Sequence, residues 1–245
     1  MATHLVIEAT DVSKRGLRDG AAHRQGVAPR VTDDPAYQGR QGDYQALLRP
    51  LFMLSFLVED FLAENDDFGA HSVLLSSASS KTAFGLAHLL HSRGRRVIGL
   101  TSAGNADFVG SLGCYDEVVT DDRVTSLPSD TPFAFVDMAG NSALRASLHQ
   151  HVRDEMKCSV RVGLTHRATD ADEGELPGAE PRWFFAPDQI RKRATEWGPG
   201  GIEQRFAVAW AGFAPRLETC LTVVESRGPA AVRQVYLDTL KQLCC

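Results

Sequence analysis

The sequence predicts an α/β fold, a doubly wound and mostly parallel sheet with an N-terminal arm and C-terminal helices. Three observations predict it. Short apolar runs of strand length recur at 71–76 (HSVLLS), 95–102 (RRVIGLTS), 116–120 (DEVVT), 133–140 (FAFVDMAG) and 158–166 (CSVRVGLTH). Such continuous runs mark strands covered on both faces. Segments of helical period separate them, and glycines close two of these segments at Gly94 and Gly113. Strand–helix alternation of this length gives parallel pairing with right-handed crossovers.

The elements follow in order. Residues 1–43, rich in Gly, Arg, Asp and Ala, are predicted as an extended or disordered arm with room for a short strand at 4–8. Residues 50–62 are predicted as an apolar helix with Pro50 in its first turn. Arg49, Pro50, Glu59 and Asp60 interrupt the apolar stretch 46–63, which falls short of the roughly 18 residues a membrane span requires. Helices are predicted at 81–94, 105–113 and 142–152, then at 187–197, 201–224 and 229–242 after an acidic loop at 167–181. RWFFA (182–186) is a candidate sixth strand, with Trp183, Phe184 and Phe185 as core residues. The domain division is therefore an arm, 1–43, and one α/β domain, 44–245, that includes the linking helix 50–62.

Composition narrows the function classes. The 245 residues are 43% hydrophobic and 23% charged, which suits a globular domain able to bury a core without staples. A formal charge of −5 argues against nucleic acid as the main partner. RKR at 191–193 is expected to be a solvated helix face. Five cysteines show no C-x-x-C and no metal-ligand spacing, which suits a reducing compartment. With no basic, apolar leader at the N-terminus, the expected location is cytoplasmic.

The loop after the 71–76 strand, SSASSKTAFG, occupies the phosphate-binding position of such sheets, where helix N-terminal amides face a ligand. A nucleoside-triphosphatase loop needs Gly-x-x-x-x-Gly-Lys-Ser/Thr. Lys81 and Thr82 satisfy its end, but Leu75 and Ser80 replace both glycines, although Asp137 imitates the magnesium-holding acid. A dinucleotide loop needs G-x-G-x-x-G; Ser77, Ser79 and Thr82 stand near those positions and only Gly85 survives, where it suits close helix–strand packing. A serine-rich N-cap without a ligand is the third reading. After the next strand stand Thr101 and Ser102, with Asn105 nearby. No carboxylate is there to repel a 2′-phosphate, so NADP is favoured over NAD.

Other constellations are weaker. His88 and His91 share a helix face without a third ligand, so no metal is expected. His149 and His151 point apart, Tyr44 and Tyr115 are not singled out by position, and no G-x-S-x-G elbow exists.

Taken together, RPLFMLSFLVEDFL, LSSASSKTAFGLAHLL, GLTS, SLGCYDEVV, VDMAGN, VGLTH, FFAPDQI and WGPGG resemble the cofactor half of the medium-chain dehydrogenase/reductase superfamily, on its quinone- and enoyl-reductase side. More closely, they are similar to a branch described as a domain of unknown function. The resemblance spans 49–240 and implies a Rossmann-like fold. It implies Ser55 near a nicotinamide; Ser79, Ser80, Lys81 and Thr82 at the pyrophosphate, with Ser77 also cofactor-binding; and Thr101, Ser102 and Asn105 at the adenosine ribose or its phosphate. Ala139, Gly140 and Asn141, with Gly163, Leu164 and Thr165, would line the nicotinamide ribose and ring. His166 or Thr165 would supply the proton. Superfamily members carry an N-terminal substrate domain whose strand pattern is not evident in the arm, so that domain is expected to be missing.

The expected function is an NADP(H)-dependent reductase of an activated alkene, ketone or quinone. Its partners would be a small-molecule substrate and further copies of the chain through a sheet edge. The alternative is an inactive cofactor-sensing or interaction subunit; a P-loop NTPase is third.

Overall fold

A computed structural model describes residues 9–13, 16–19, 27–29, 34–37, 42–163 and 174–243. Within the predicted arm, β1 (Ala9–Ser13), β2 (Gly16–Asp19) and β3 (Val27–Pro29) form a small antiparallel sheet. The strand expected at 4–8 lies outside the described residues. The arm is tied to the body where Arg49 Nε meets Asp34 Oδ2 at 2.7 Å.

The main sheet contains β4 (Ser72–Leu75), β5 (Arg96–Thr101), β6 (Glu117–Thr120), β7 (Phe133–Asp137), β8 (Met156–Arg161) and β9 (Arg182–Trp183). Its order is β6-β5-β4-β7-β8-β9 and every neighbouring pair is parallel. This is the doubly wound arrangement that the alternation predicts. The chain reverses direction across the sheet between β4 and β7, where a crevice opens at the carboxyl ends of the strands. Helices α2 (Lys81–Ser92), α3 (Ala106–Ser111) and α4 (Ser142–Val152) form the crossovers, and α5 (Ala186–Trp197), α6 (Gly201–Cys220) and α7 (Pro229–Leu243) follow. Among the described residues no helix is long and apolar enough to cross a membrane.

The linking helix α1 (Gly42–Glu64) begins eight residues earlier than predicted, with Pro50 inside it. Proline there forfeits one helical hydrogen bond. Tertiary contacts outweigh that loss: the Tyr44 hydroxyl donates to the Leu221 carbonyl at 3.0 Å, and Leu48 and Phe52 are buried. Phe52 stacks on Phe213 at 4.5 Å and meets Trp210 edge-on at 5.5 Å, which fastens α1 to α6. Gly85 serves this helix layer rather than helix–strand packing. A Cβ there would lie 2.8 Å from Ser55 Oγ and 2.9 Å from Phe52 Cδ2, so α1 and α2 touch only because the residue is glycine.

Two further expectations are corrected. Arg193 is buried rather than solvated: it bonds Asp60 and Glu64 of α1 at 2.6 Å each, and also Glu196, while Lys192 reaches Glu64 at 2.6 Å. Together these cations clamp α5 to α1. The sixth strand has only two residues, and Trp183 and Phe185 are 50% and 60% exposed, not core. An edge strand has one free side, so its apolar residues are not forced inward.

Between α1 and β4 the backbone takes a left-handed turn through Asp66, Asp67, Phe68 and Gly69. Left-handed non-glycine residues cost about 1–2 kcal/mol each. The buried Asp67 carboxylate offsets this by receiving Arg93 at 2.7 and 2.8 Å and Arg95 at 2.7 Å.

His88 packs against Phe213 at 5.2 Å, and burial, helped by Arg216 and His91, lowers its pKa to about 4. The unfolded chain takes up this proton near 6.5, the folded chain only near 4. His88 therefore gives full stability above pH 6.5, and that contribution falls as pH drops toward 4, by on the order of 3 kcal/mol. Urea unfolding of His88→Gln should show a shallower loss across that window than the native chain; parallel curves would contradict it. Gly85→Ala should cost about 1–2 kcal/mol net, because overpacking exceeds the helix-propensity gain of about 1 kcal/mol. Its Tm should fall by several degrees, while Gly104→Ala, where nothing lies within 4 Å, should leave Tm unchanged.

Candidate functional site

The crevice is built around one buried carboxylate. Asp137 ends β7, and Ser76 follows β4, its sheet neighbour across the reversal. Ser76 Oγ donates to Asp137 Oδ1 at 2.8 Å and accepts from the amides of Met138 at 2.8 Å and Ala139 at 3.1 Å. Asp137 Oδ1 also accepts from the Gly140 amide at 2.9 Å, and Oδ2 pairs with Arg145 of α4. Asp137 and Arg145 are each 1% exposed. The Asp137 carbonyl then receives the Val162 and Gly163 amides at 2.9 and 3.2 Å, which links the loop after β8. Three loops are thereby set by one residue.

This bonding also answers the NTPase reading. A magnesium-holding acid needs a carboxylate oxygen facing the phosphate loop. Both oxygens of Asp137 are spent inside the protein.

Around this centre lies a pocket of about 170 Å³, lined by Ser77, Ser79, Thr101, Ser102, Asn105, Asp121, Ala139, Asn141 and Leu144. Seven of these are residues the sequence singled out; Asp121 and Leu144 are not. Asn105 Nδ2 lies 3.1 Å from Ser102 Oγ and 3.4 Å from Ser79 Oγ, bridging the loops after β5 and β4. Asn141 caps α4 by accepting the Leu144 amide at 3.2 Å. The missing glycines are partly replaced by geometry. Ser77 holds a left-handed φ of 49°, and the small, buried Ala78 faces Gly99, where a Cβ would come within 2.9 Å of it.

The other predicted residues fall at the rim or behind it. Ser80 is the N-cap of α2 and accepts the Ala83 amide at 3.2 Å. Lys81 is exposed and Thr82 half-buried on the first turn. Gly140 takes a φ of 68° that glycine adopts without strain. A Cβ on Gly163 would lie 2.0 Å from the Met138 carbonyl oxygen, so glycine is required for the two loops to meet. Ser55 does not line the pocket: it is buried and donates to the Thr82 carbonyl at 2.7 Å, supporting the first turn of α2 from behind. Leu164, Thr165 and His166 lie outside the described residues.

Elsewhere the chemistry is structural. His149 is buried with ring nitrogens 2.9 Å from the Pro177 carbonyl and Ser159 Oγ. Tyr115 donates to the Ala78 carbonyl at 2.9 Å, and burial pushes its phenol well above 10. Burial pushes the Cys114 and Cys158 thiols up to about 12, which removes them as nucleophiles at neutral pH. Among the described residues no group of His, Cys, Asp or Glu could hold a metal. The signal that would have found the centre is an acid ending the fourth strand with an arginine eight residues on.

Arg145→Ala leaves the Asp137 carboxylate buried and short of a partner, a change that costs about 3–5 kcal/mol. Chemical unfolding should show that loss, and a change under about 1 kcal/mol would contradict the structural role of the Asp137–Arg145 pair.

With the geometry in place, comparison with known proteins is informative. The chain resembles a putative NADPH:quinone reductase from Mesorhizobium loti, with TM-score 0.54, 10% identity, and coverage of 72% of this chain and 51% of that one. It also matches the yhdH oxidoreductase from Salmonella enterica in complex with NADP (TM-score 0.41, 18% identity, 68% and 49% covered). A third match is the yhfP protein of Bacillus subtilis with NAD bound (TM-score 0.42, 19% identity, 77% and 57% covered). The chain spans about half the length of these proteins. At these identities the likeness is one of fold alone, the doubly wound α/β arrangement. No curated protein matches the chain. Residues 1–244 match the family described as "Protein of unknown function (DUF2855)", and the chain belongs to that family.

Proposed function

We propose that the chain binds a nicotinamide dinucleotide across the β4–β7 reversal and acts as a reductase of an activated alkene, ketone or quinone. The observation that carries this is the hydroxyl- and amide-lined pocket at the reversal point of a sheet ordered β6-β5-β4-β7-β8-β9. Support also comes from the shared fold with a protein described as a putative NADPH:quinone reductase. The donor set fits the group: small hydroxyls line the pocket and permit close backbone approach, and the N-terminus of a helix suits an anion.

In this reading residues 44–245 are the dinucleotide domain and 1–43 a separate arm. Ser79, Ser80, Lys81 and Thr82 hold the pyrophosphate, with Ser77 beneath them. Thr101, Ser102 and Asn105 take the adenosine ribose. Ala139, Gly140, Asn141, Gly163, Leu164 and Thr165 orient the nicotinamide end, and Thr165 or His166 delivers the proton. Hydride chemistry is supplied by the dinucleotide when bound. On the residues after β5 alone the preferred form is NADP(H), since no carboxylate stands there. The cytoplasm is the proposed location, and self-association through the β9 edge the proposed assembly. Trp183 and Phe185 are exposed beside that edge.

One observation favours a second reading, an interaction subunit that binds cofactor without turnover. Helix α7 exposes Val232, Val235, Tyr236 and Leu240 at helical spacing. That stripe suits a partner surface.

Titration of NADPH and NADH, followed by nicotinamide fluorescence, should show saturable binding, and turnover of quinones or enones separates the readings. Lys81→Ala should weaken binding roughly 3- to 10-fold, the effect of losing one exposed cation from a phosphate. Failure to bind either nucleotide, or magnesium-dependent ATP binding lost in Lys81→Ala, would overturn the proposal.

A further inference from the structure

Ala78 is held at both of its backbone polar groups. Its amide donates to the Leu100 carbonyl of β5 at 3.0 Å, and its carbonyl accepts from the Tyr115 hydroxyl at 2.9 Å. Tyr115 reaches it from outside the loop, in the stretch between α3 and β6. That stretch is fixed in turn. The Asp116 amide donates to the Val97 carbonyl of β5 at 2.8 Å, and Asp116 Oδ2 accepts the Val97 amide at 2.7 Å. Arg216 of α6 donates to the Leu112 carbonyl at 2.7 Å, and Cys114 is buried. The Tyr115 ring passes β5 at Gly99, where a Cβ would come within 2.9 Å of both Tyr115 Cδ1 and Ala78 Cβ. Burial keeps the phenol well above 10, so its hydroxyl is a donor at neutral pH.

A trans peptide points its C=O and the following N–H in opposite directions. With the Ala78 carbonyl turned to Tyr115, the Ser79 amide is turned the other way, and among the described residues it has no acceptor. Ser79 lines the pocket and Tyr115 does not. We propose that Tyr115 is the positioning residue of this site: its bond to the Ala78 carbonyl orients the Ala78–Ser79 peptide so that the Ser79 amide donates to the pyrophosphate of the dinucleotide. The inference rests on the dinucleotide reading and names the residue that shapes its phosphate end. Ser77, just before, holds a left-handed φ of 49° that a residue other than glycine adopts only under outside constraint. Without the hydroxyl, the Ala78 carbonyl is short of its donor, and the peptide turns to regain one. A rotated peptide would carry the Ser79 amide away and present a carbonyl, which repels an anion.

The test is Tyr115→Phe in the full chain, which keeps the ring beside Gly99 and removes only the hydroxyl. Kd for NADH and Kd for NADPH should each rise about 3- to 10-fold, by the same factor, because the pyrophosphate is common to both. Cys158→Ala, a buried change on β8 outside the pocket, is the control for lost stability. It should lower Tm by a few degrees, as Tyr115→Phe does, and leave both Kd values within about 2-fold of native. In the native protein, saturating NADH should slow hydrogen exchange of the Ser79 amide, followed residue by residue by NMR. Three results overturn the proposal while leaving the dinucleotide reading intact: unchanged Kd values in Tyr115→Phe, an equal loss of affinity in Cys158→Ala, or a nucleotide-bound protein whose Ser79 amide exchanges as before. Binding of neither nucleotide by the native protein overturns both.

Discussion

The site depends on the ion pair between Asp137 and Arg145. A carboxylate buried to this degree is stable only with a full set of partners. Here the partners come from three places: the Ser76 hydroxyl after β4, the Ala139 and Gly140 amides after β7, and the Arg145 guanidinium on α4. Meeting the needs of one charge therefore fixes the relative position of the two loops that flank the reversal. The same residue's carbonyl gathers the loop after β8. Crevice shape follows from electrostatic satisfaction as much as from strand order.

That constraint helps explain how the loop after β4 keeps its shape without the glycines usual at that position. Glycines there permit a positive φ, a close backbone approach and tight packing. In this chain the three tasks are distributed. Ser77 takes the positive φ; Gly99 and the small Ala78 accommodate the approach of β5; Gly85 lets α2 lie against α1. Ser55, buried between those helices, supports the first turn of α2 through the Thr82 carbonyl. What remains facing the crevice is a set of hydroxyls and amides bridged by Asn105.

Much of this was legible in the residues, and the exceptions have physical causes. Apolar runs located β4 through β8 because strands covered on both faces must be apolar throughout. The edge strand β9 escaped the rule, so RWFFA looked like core although Trp183 and Phe185 face outward. Pro50 suggested a helix start, but distant contacts of Tyr44 and Phe52 carry the helix through it. Arg193 within RKR looked solvated because its partners Asp60 and Glu64 lie more than a hundred residues away, whereas Arg191 is exposed as expected. Around the site, the hydroxyl residues of two adjacent loops were legible from strand–loop position. Asp121 was not, since only the sheet order brings the end of β6 to the same pocket. Ser55, singled out by resemblance, is held by a contact the sequence does not show, the bond from its hydroxyl to the Thr82 carbonyl.

The central claim is that a dinucleotide seats at the β4–β7 reversal. Hydrogen–deuterium exchange of the full chain, with and without saturating NADH, tests it most directly. The predicted result is protection confined to the segments around 77–82, 101–105, 121 and 138–144. Exchange unchanged by the nucleotide, or protection centred instead on the β9 edge, would contradict it.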